Sequence, residues 1–168
     1  NIGSVIIVAK NDAIAKAITA DPYLKERKAP SEADQQLYLK EVSFLCPLCG
    51  ASLRHRRQKK TNKLYEIAHI FPNSPTEEQY ERLSALPRLG DNSESFENKI
   101  ALCKNCHAEQ DYHTTQEDYL KLYNKKKHLL QLTDLHEATL PMNLEPEITN
   151  VVEKFCSLRE DELAKLNY

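Results

Sequence analysis

Four cysteines fall into two pairs whose spacing suits metal binding. The first pair is Cys46-Pro-Leu-Cys49 and the second is Cys103-Lys-Asn-Cys106. A Cys-x-x-Cys pair puts two thiolates on one tight turn, and two such turns can complete the tetrahedral sphere of a zinc ion. Four thiolates leave the ion no open position, so the spacing predicts a structural Cys₄ zinc site. Disulfides are the alternative, which a reducing compartment would disfavour.

Two histidines near these pairs are suited to proton transfer or to metal binding. His107 directly follows Cys106, and His69 lies in the segment Glu66-Ile-Ala-His69-Ile-Phe-Pro72 between the pairs. An imidazole titrates close to neutral pH, which fits a general base, and its neutral form binds divalent ions. His107 could in principle also replace Cys106 as a zinc ligand.

The N-terminal elements are predicted from apolar spacing and capping residues. Residues 4–20 favour a strand or docking segment followed by a helix. A linker then leads to Ser31, which with acidic residues after it is typical of a helix start. Leu37, Val42 and Leu45 give that helix its expected apolar stripe.

The elements around the histidines are expected to be two short strands and a helix. Residues 51–53 and 64–70 predict the strands, joined by a basic loop, and a helix should begin near Cys106. The fifth cysteine, Cys156, lies in an apolar helical pattern and is expected to be buried. Further helices are predicted within residues 76–86, 115–132 and 148–166.

Composition limits the classes of protein to consider. The chain has 168 residues, 40% of them hydrophobic, a mean hydropathy of −0.62 and a net charge of −2. No segment approaches the roughly 18 apolar residues of a membrane span, so we expect a cytoplasmic protein without membrane contact. The near-neutral charge means that any affinity for nucleic acid must be local. Predicted domains are a docking segment and linker at residues 1–30, a core at 31–113 and a helical extension at 114–168.

Three motifs, which include both cysteine pairs, resemble the HNH endonuclease family. They are Cys46-Pro-Leu-Cys-Gly50, then Ala68-His69-Ile-Phe-Pro72, then Glu97-Asn98-Lys-Ile-Ala-Leu-Cys-Lys-Asn-Cys-His107. The resemblance covers roughly residues 46–112 and keeps the order of the family's motifs. It implies an α+β fold: a ββα-metal core with a structural Cys₄ zinc, flanked here by N- and C-terminal helices.

The resemblance also assigns catalytic roles. His69 corresponds to the general base that activates water for attack on a phosphodiester. Asn98 corresponds to the residue that braces the loop and orients that base. His107 corresponds to a ligand of a catalytic divalent ion, Mg²⁺ or another, which would polarise the phosphate.

Ala68 departs from the family pattern. Many members have Asp or His directly before the base, as a second metal ligand, and alanine cannot bind a metal. Asp111 lies four residues after His107 on the same helical face, a spacing that colicin-type relatives use, and is the favoured substitute. Glu66 lies two residues before Ala68 on the same strand face and is the other candidate. Weak metal binding completed by water and substrate is a further alternative, as is loss of catalysis.

A basic segment precedes the His69 strand and is a candidate for contact with DNA phosphates. A solvated loop is the alternative. Its candidate residues are Arg54, Arg56, Arg57, Lys59, Lys60 and Lys63.

The leading hypothesis is a metal-dependent HNH endonuclease that acts on DNA, as the nuclease part of a bacterial antiviral defence or restriction effector. Its expected substrate is double-stranded DNA with little sequence preference. A partner protein or further domain would attach through the C-terminal helices, and could gate a latent nuclease. The alternative is a zinc-stabilised module that binds nucleic acid or protein without cutting.

Overall fold

The computed structural model describes residues 2–54, 63–139 and 145–156 and has an α+β fold of helices around a small sheet. The chain separates into two compact units, Asn1–Leu130 and Gln131–Tyr168. No helix in the described ranges is both long and apolar enough to cross a membrane. The elements, in chain order, are α1 Ile2–Ala20, α2 Glu32–Glu41, β1 Tyr65–His69, α3 Glu77–Leu83, a 3₁₀ turn Phe96–Asn98, β2 Lys99–Cys103, α4 Lys104–His113, α5 Gln116–Thr139 and α6 Glu145–Cys156.

The sheet is one antiparallel pair, and its register decides which side chains meet. Ala68 lies opposite Ile100, and His69 lies opposite Lys99. Because opposite residues share a face of the sheet, the side chains of His69 and Lys99 emerge together. Ala68 and Glu66 occupy the other face, since strand side chains alternate. α4 follows β2 directly and packs against both strands.

The core joins these strands to the flanking helices. Aromatic contacts join the chain after β1 to the chain after α1 and to α5. The Phe71 ring lies edge-on to the rings of Tyr23 and Tyr119, with centroids 5.7 and 6.2 Å away. α5 is attached through a buried ion pair, in which Lys126 Nζ contacts the Glu41 carboxylate at 2.6 Å. Breaking such a pair on one side would leave a buried charge without compensation, so it constrains how α5 packs on α2.

The stretch between α1 and α2 lies across the loop that precedes β2. The Ser93 backbone N–H donates to the Tyr23 carbonyl at 2.8 Å, and the Tyr23 hydroxyl donates to the Leu89 carbonyl at 2.7 Å. This loop turns at Gly90, whose φ of +70° suits glycine, and an added Cβ there would lie 2.5 Å from Ser95 Cβ. The chain between α1 and α2, the N-terminal stretch, thus contacts the same loop that approaches β1 and β2.

Several sequence predictions of secondary structure are confirmed. α2 begins after Ser31 as expected, with a capping box between Ser31 and Asp34. The helix predicted within residues 76–86 is α3, and it too begins with a capping box, between Thr76 and Gln79. The second predicted strand is β1, and α4 begins at the second cysteine pair as expected.

Three predictions are wrong and a fourth is right only in part. Residues 2–20 form one helix, which excludes the strand that was one of two possibilities for its first residues, and residues 51–53 contribute only an isolated bridge between Leu45 and Ser52. The predicted apolar stripe holds at Val42, the cap residue of α2, which is 6% exposed. Leu37 is 53% exposed because α2 buries Tyr38 and Leu39 instead, and Leu45, 48% exposed, lies beyond the end of the helix. Cys156, expected to be buried, is exposed on α6.

Candidate active site

The four paired cysteines converge to form one cluster. Their sulfur atoms all lie within 4.8 Å of one another, and Cys49 Sγ is 3.6 Å from Cys103 Sγ. Zinc–sulfur bonds of about 2.3 Å in a tetrahedron separate the sulfurs by about 3.8 Å, so the spacing fits a zinc ion. Among the described residues, this is the one group of three or more metal-binding side chains. The predicted cluster is confirmed, and it could bind zinc.

The thiols of this cluster differ in acidity. Burial opposes ionisation of Cys46, but backbone N–H groups, including that of Cys103, lower its pKa to about 7. Burial and the neighbouring sulfurs raise the pKa values of Cys103 and Cys106. Four thiolates repel one another unless a cation offsets their charge, and a divalent metal ion is the cation that such a donor set suits.

Asn98 is fully buried and joins the loop after β1 to the loop before β2. Its Oδ1 accepts from the Phe71 backbone N–H at 2.9 Å, and its Nδ2 donates to the carbonyls of Phe71 and Ser93 at 3.0 and 2.9 Å. Its own carbonyl accepts from the Ile70 N–H at 2.7 Å. Every polar atom of the amide is therefore used to fix the backbone that follows His69.

His69 is held by a carboxylate that sequence reasoning did not find. His69 Nε2 lies 2.8 Å from Glu94 Oε1, and the two side chains are 11% and 10% exposed. Since an ionised carboxylate only accepts, the proton resides on Nε2, and Nδ1 keeps the lone pair that a general base needs. Glu94 is held in turn by Lys99 Nζ at 2.6 Å and by the Lys28 backbone N–H at 3.0 Å.

The electrostatic balance around His69 favours its neutral form. Burial lowers the pKa of His69 below its usual value, although the Glu94 carboxylate acts to raise it. The cations of Lys99 and Arg27 lower the pKa further. Burial disfavours the Glu94 carboxylate, but its hydrogen bonds with Lys99 and His69 hold its pKa below the usual range. His69 is therefore a neutral imidazole at neutral pH.

His107, on α4, lies between two carboxylates. His107 Nδ1 is 2.5 Å from Glu66 Oε2 on β1, and His107 Nε2 is 3.6 Å from Asp111 Oδ2 one helical turn later. The first distance is a hydrogen bond in which Nδ1 donates to the Glu66 carboxylate, and it orients the ring with Nε2 towards Asp111. The second is too long for a hydrogen bond but short enough for both atoms to bind one ion, since two ligand bonds of about 2.1 Å span up to about 4.2 Å. His107 Nε2 and the Asp111 carboxylate are thus two groups of types that bind divalent metal ions in proteins.

One cleft of about 330 Å³ brings the two histidines together. His69, His107 and Asp111 line it, together with Arg27 from the N-terminal stretch. Gln110 Nε2 donates to the His69 carbonyl at 2.8 Å, which ties α4 to the end of β1. The two histidines and the Asp111 carboxylate therefore face the same space.

Other predicted site residues have different placements. Ala68 is fully buried, and Glu66, on the same face of β1, supplies the carboxylate that contacts His107. Arg54 stacks on the Phe44 ring at 4.3 Å, and Lys63 lies 5.5 Å from the Tyr65 ring centroid. Arg56, Arg57, Lys59 and Lys60 lie outside the described residues.

Two residues of the site were missed by sequence reasoning. Glu94 stands in a polar loop with no spacing signal that links it to His69, which is 25 residues away. Arg27 stands in the charged linker before Ser31, outside the recognised motifs. The order of charges within that linker carries no period that would have selected Arg27.

Comparison with known families agrees with this geometry. None of the curated proteins matches the chain. Residues 46–114 match the model of a family described as HNH endonuclease. The matched segment contains both cysteine pairs, His69, Asn98, His107 and Asp111, which confirms the resemblance seen in the sequence. The chain therefore carries a segment, residues 46–114, that matches the HNH endonucleases, and this match suggests nuclease activity.

Proposed function

We propose that this protein is a metal-dependent endonuclease that hydrolyses phosphodiester bonds of DNA. The observation that carries the proposal is the shared cleft: His69 with its carboxylate partner faces the same space as His107 and Asp111. The family match over residues 46–114 supports the reaction class.

His69 is the proposed general base. Its Nδ1 takes a proton from the water that attacks phosphorus, the new P–O bond forms, and the P–O3′ bond breaks. Glu94 holds the ring through Nε2 and stabilises the imidazolium that results, as a carboxylate does for a catalytic histidine. Asn98 contributes by fixing the backbone on which His69 stands, through its hydrogen bonds to Phe71.

His107 and Asp111 would hold the catalytic ion, with Glu66 orienting His107. Glu66 then acts through His107 rather than as a ligand, which agrees with the preference for Asp111. When bound, Mg²⁺ or a similar ion supplies charge stabilisation to the phosphate and to the departing 3′ oxygen. Two protein ligands leave positions for water and phosphate, an arrangement that magnesium commonly has.

The cysteine cluster is proposed to hold a structural zinc ion. It joins the chain before β1 to the junction of β2 and α4, because Cys46 and Cys49 lie on one side and Cys103 and Cys106 on the other. Closing this junction fixes the start of the helix that carries His107, and so contributes to the cleft without entering it.

Plasmid cleavage tests the proposal. Protein would be incubated with supercoiled plasmid and Mg²⁺ or Mn²⁺, beside His69→Ala, Asp111→Asn and the exposed control His128→Ala. Nicking by the parent and control that is lost in both cleft variants is the expected result. Equal nicking by all four would refute the assignment of His69. Retained DNA binding without nicking in any metal would instead favour the zinc-stabilised binding module.

We also propose that the nuclease serves a defence or restriction effector, on the resemblance of its motif context alone. Cells that express the protein should resist phage infection, and cells that express His69→Ala should not. Equal plaque counts in both would contradict this role while leaving the nuclease assignment intact.

A further inference from the structure

A second cleft adjoins the first and has no role in the chemistry described so far. Its volume is about 460 Å³, and Arg27 and His107 line both clefts. From these two shared residues the second cleft continues along β1, and Lys63 and Lys104 also line it. Any polymer held at His107 would therefore find a continuous depression leading away from the first cleft.

The charge of this second cleft is positive. Arg27, Lys63 and Lys104 line it, and Glu66 is the one carboxylate among the described residues that do so. Glu66 is already hydrogen-bonded to His107. Since the chain as a whole has a net charge of −2, this local concentration of cations is not a consequence of composition. Such a surface suits a polyanion.

Arg27 is placed by backbone contacts on both sides of it. The Lys25 N–H donates to Ser93 Oγ at 2.9 Å, and the Lys25 carbonyl accepts from Asn73 Nδ2 at 2.7 Å. The Lys28 N–H donates to Glu94 Oε2 at 3.0 Å. The backbone around Arg27 is thus tied to Glu94, the residue that holds His69.

The Arg27 guanidinium itself is uncommitted within the part of the chain that the structure describes. It is exposed, and no ion pair or hydrogen bond joins it to a residue in the ranges 2–54, 63–139 and 145–156. Its charge nevertheless acts on His69. A planar guanidinium can bind a phosphate through two parallel hydrogen bonds, so this position beside the base suits a phosphate group.

We propose that the second cleft binds the sugar–phosphate backbone of the strand being cut, with Arg27 at the junction contacting the phosphate at or next to the scissile bond. The inference rests on the proposed function and extends it by a binding subsite. It also gives the N-terminal stretch, which lies outside the matched residues 46–114, a part in substrate binding. Lys104 and Lys63 contact the phosphates that follow.

The test measures binding without cleavage. In a His69→Ala background, Arg27→Ala, Lys104→Ala and the double variant would be titrated against a fluorescein-labelled 24-base-pair duplex at several salt concentrations. Removing one cation that neutralises a phosphate should reduce the slope of log Kd against log salt by about 0.9. For each cation removed, the affinity gap from the parent should then narrow roughly threefold between 50 and 200 mM salt. Lys121→Ala, an exposed lysine on α5 that lines neither cleft, should leave the slope unchanged.

Further arms separate the outcomes. Arg27→Lys should restore the salt slope, because it keeps the charge, but only part of the affinity, because lysine cannot form the two parallel hydrogen bonds. Slopes and Kd values equal to the parent's in all variants, with unchanged melting temperature, would overturn the subsite while the nuclease assignment stands. If polyglutamate bound the parent more tightly than the duplex does, and did not bind the double variant, the proposed DNA subsite would be overturned in favour of a site for an acidic protein partner. Cleavage that survives His69→Ala, or a parent that does not bind the duplex, would refute the proposed function itself.

Discussion

The cysteine cluster and the histidine cleft are built in opposite ways. The cluster has four donors of one type, supplied by two tight turns. The cleft has the proposed base, its carboxylate partner, the proposed metal-binding pair and an arginine, supplied by the N-terminal stretch, β1, the loop before β2 and α4. The four sulfurs of the cluster lie next to one another, whereas the two histidines and Asp111 line an open cleft.

This difference separates the stability of the fold from its chemistry. A set of four sulfurs can satisfy a metal ion completely, so it can hold the chain before β1 to the junction of β2 and α4 but offers no position to a substrate. Within the described residues, no hydrogen bond joins Nδ1 of His69 or Nε2 of His107 to another group, which leaves both atoms available for chemistry. Changes in the cluster should therefore act on folding, and changes in the cleft on turnover.

Loss of one cysteine should have the largest effect. Cys49→Ser should abolish tight zinc binding and lower the free energy of unfolding by roughly 5 kcal/mol or more, because zinc binding and folding are coupled. Metal analysis after dialysis, with a thermal melt, measures both. Cys156→Ser, at an exposed cysteine outside the cluster, is the control and should change neither. A Cys49→Ser protein that melts like the parent would contradict a structural zinc.

Loss of the base should act on turnover alone. His69→Ala should reduce the cleavage rate by about 10²–10⁴-fold, the usual contribution of a general base. Its zinc content should stay the same, since His69 has no part in the sulfur cluster. Rates measured under single-turnover conditions, beside His128→Ala, check this. A His69→Ala protein without zinc would show that the two regions are not separable.

Loss of the carboxylate partner should have an intermediate effect and a distinct pH signature. Glu94→Gln should lower the rate roughly 10–100-fold, because the amide no longer holds the ring in one tautomer. Glu94 acts to raise the pKa of His69, whereas burial, Lys99 and Arg27 lower it. Removing the carboxylate should therefore shift the acid limb of the pH–rate profile to lower pH.

The matched control for this variant is Glu117→Gln, an exposed carboxylate in the first turn of α5. It should keep the parent's rate and its acid limb. A Glu94→Gln profile that falls in rate at every pH without moving its acid limb would argue that Glu94 stabilises the loop only, through Lys99 and Lys28.

Substitution of one glycine in each region should have the smallest effect on stability, and it compares the two regions directly. Gly50, beside the first cysteine pair, has a φ of +74° and open space around an added Cβ, so Gly50→Ala should cost about 1 kcal/mol of stability. Gly90 has a similar φ, but an added Cβ would meet Ser95 Cβ at 2.5 Å. Gly90→Ala should destabilise by about 2–3 kcal/mol and also slow cleavage, since its loop carries Glu94. Chemical denaturation and rate measurements on both variants test the contrast.

Local signals predicted much of the fold because their causes are local. The helix start at Ser31 and the turn at each cysteine pair require only residues within four positions. The face of α2 could not be predicted in this way. Leu37 and Leu45 satisfy an apolar stripe, yet Tyr38 and Leu39 are buried, because the ring of Tyr38 stacks on Phe96 with centroids 4.6 Å apart. That contact spans distant parts of the chain.

The residues of the candidate site also divide into those that local spacing selects and those that only packing brings together. His69, Asn98, His107 and Asp111 could be selected because they stand at fixed distances from recognisable motifs. Glu94 and Arg27 could not, because their relation to His69 exists only after the N-terminal stretch and the loop before β2 have packed beside β1.

The sequence by itself determined the sulfur cluster and selected the proposed base and the proposed metal-binding pair on α4, since each depends on residue type and on short spacing along the chain. Tertiary structure alone decided the surroundings of those residues: which carboxylate fixes each histidine, why Ala68 is buried, and where Arg27 meets both clefts. Spacing specifies geometry within a turn or a helix, whereas the approach of separate segments depends on the packing of the whole core.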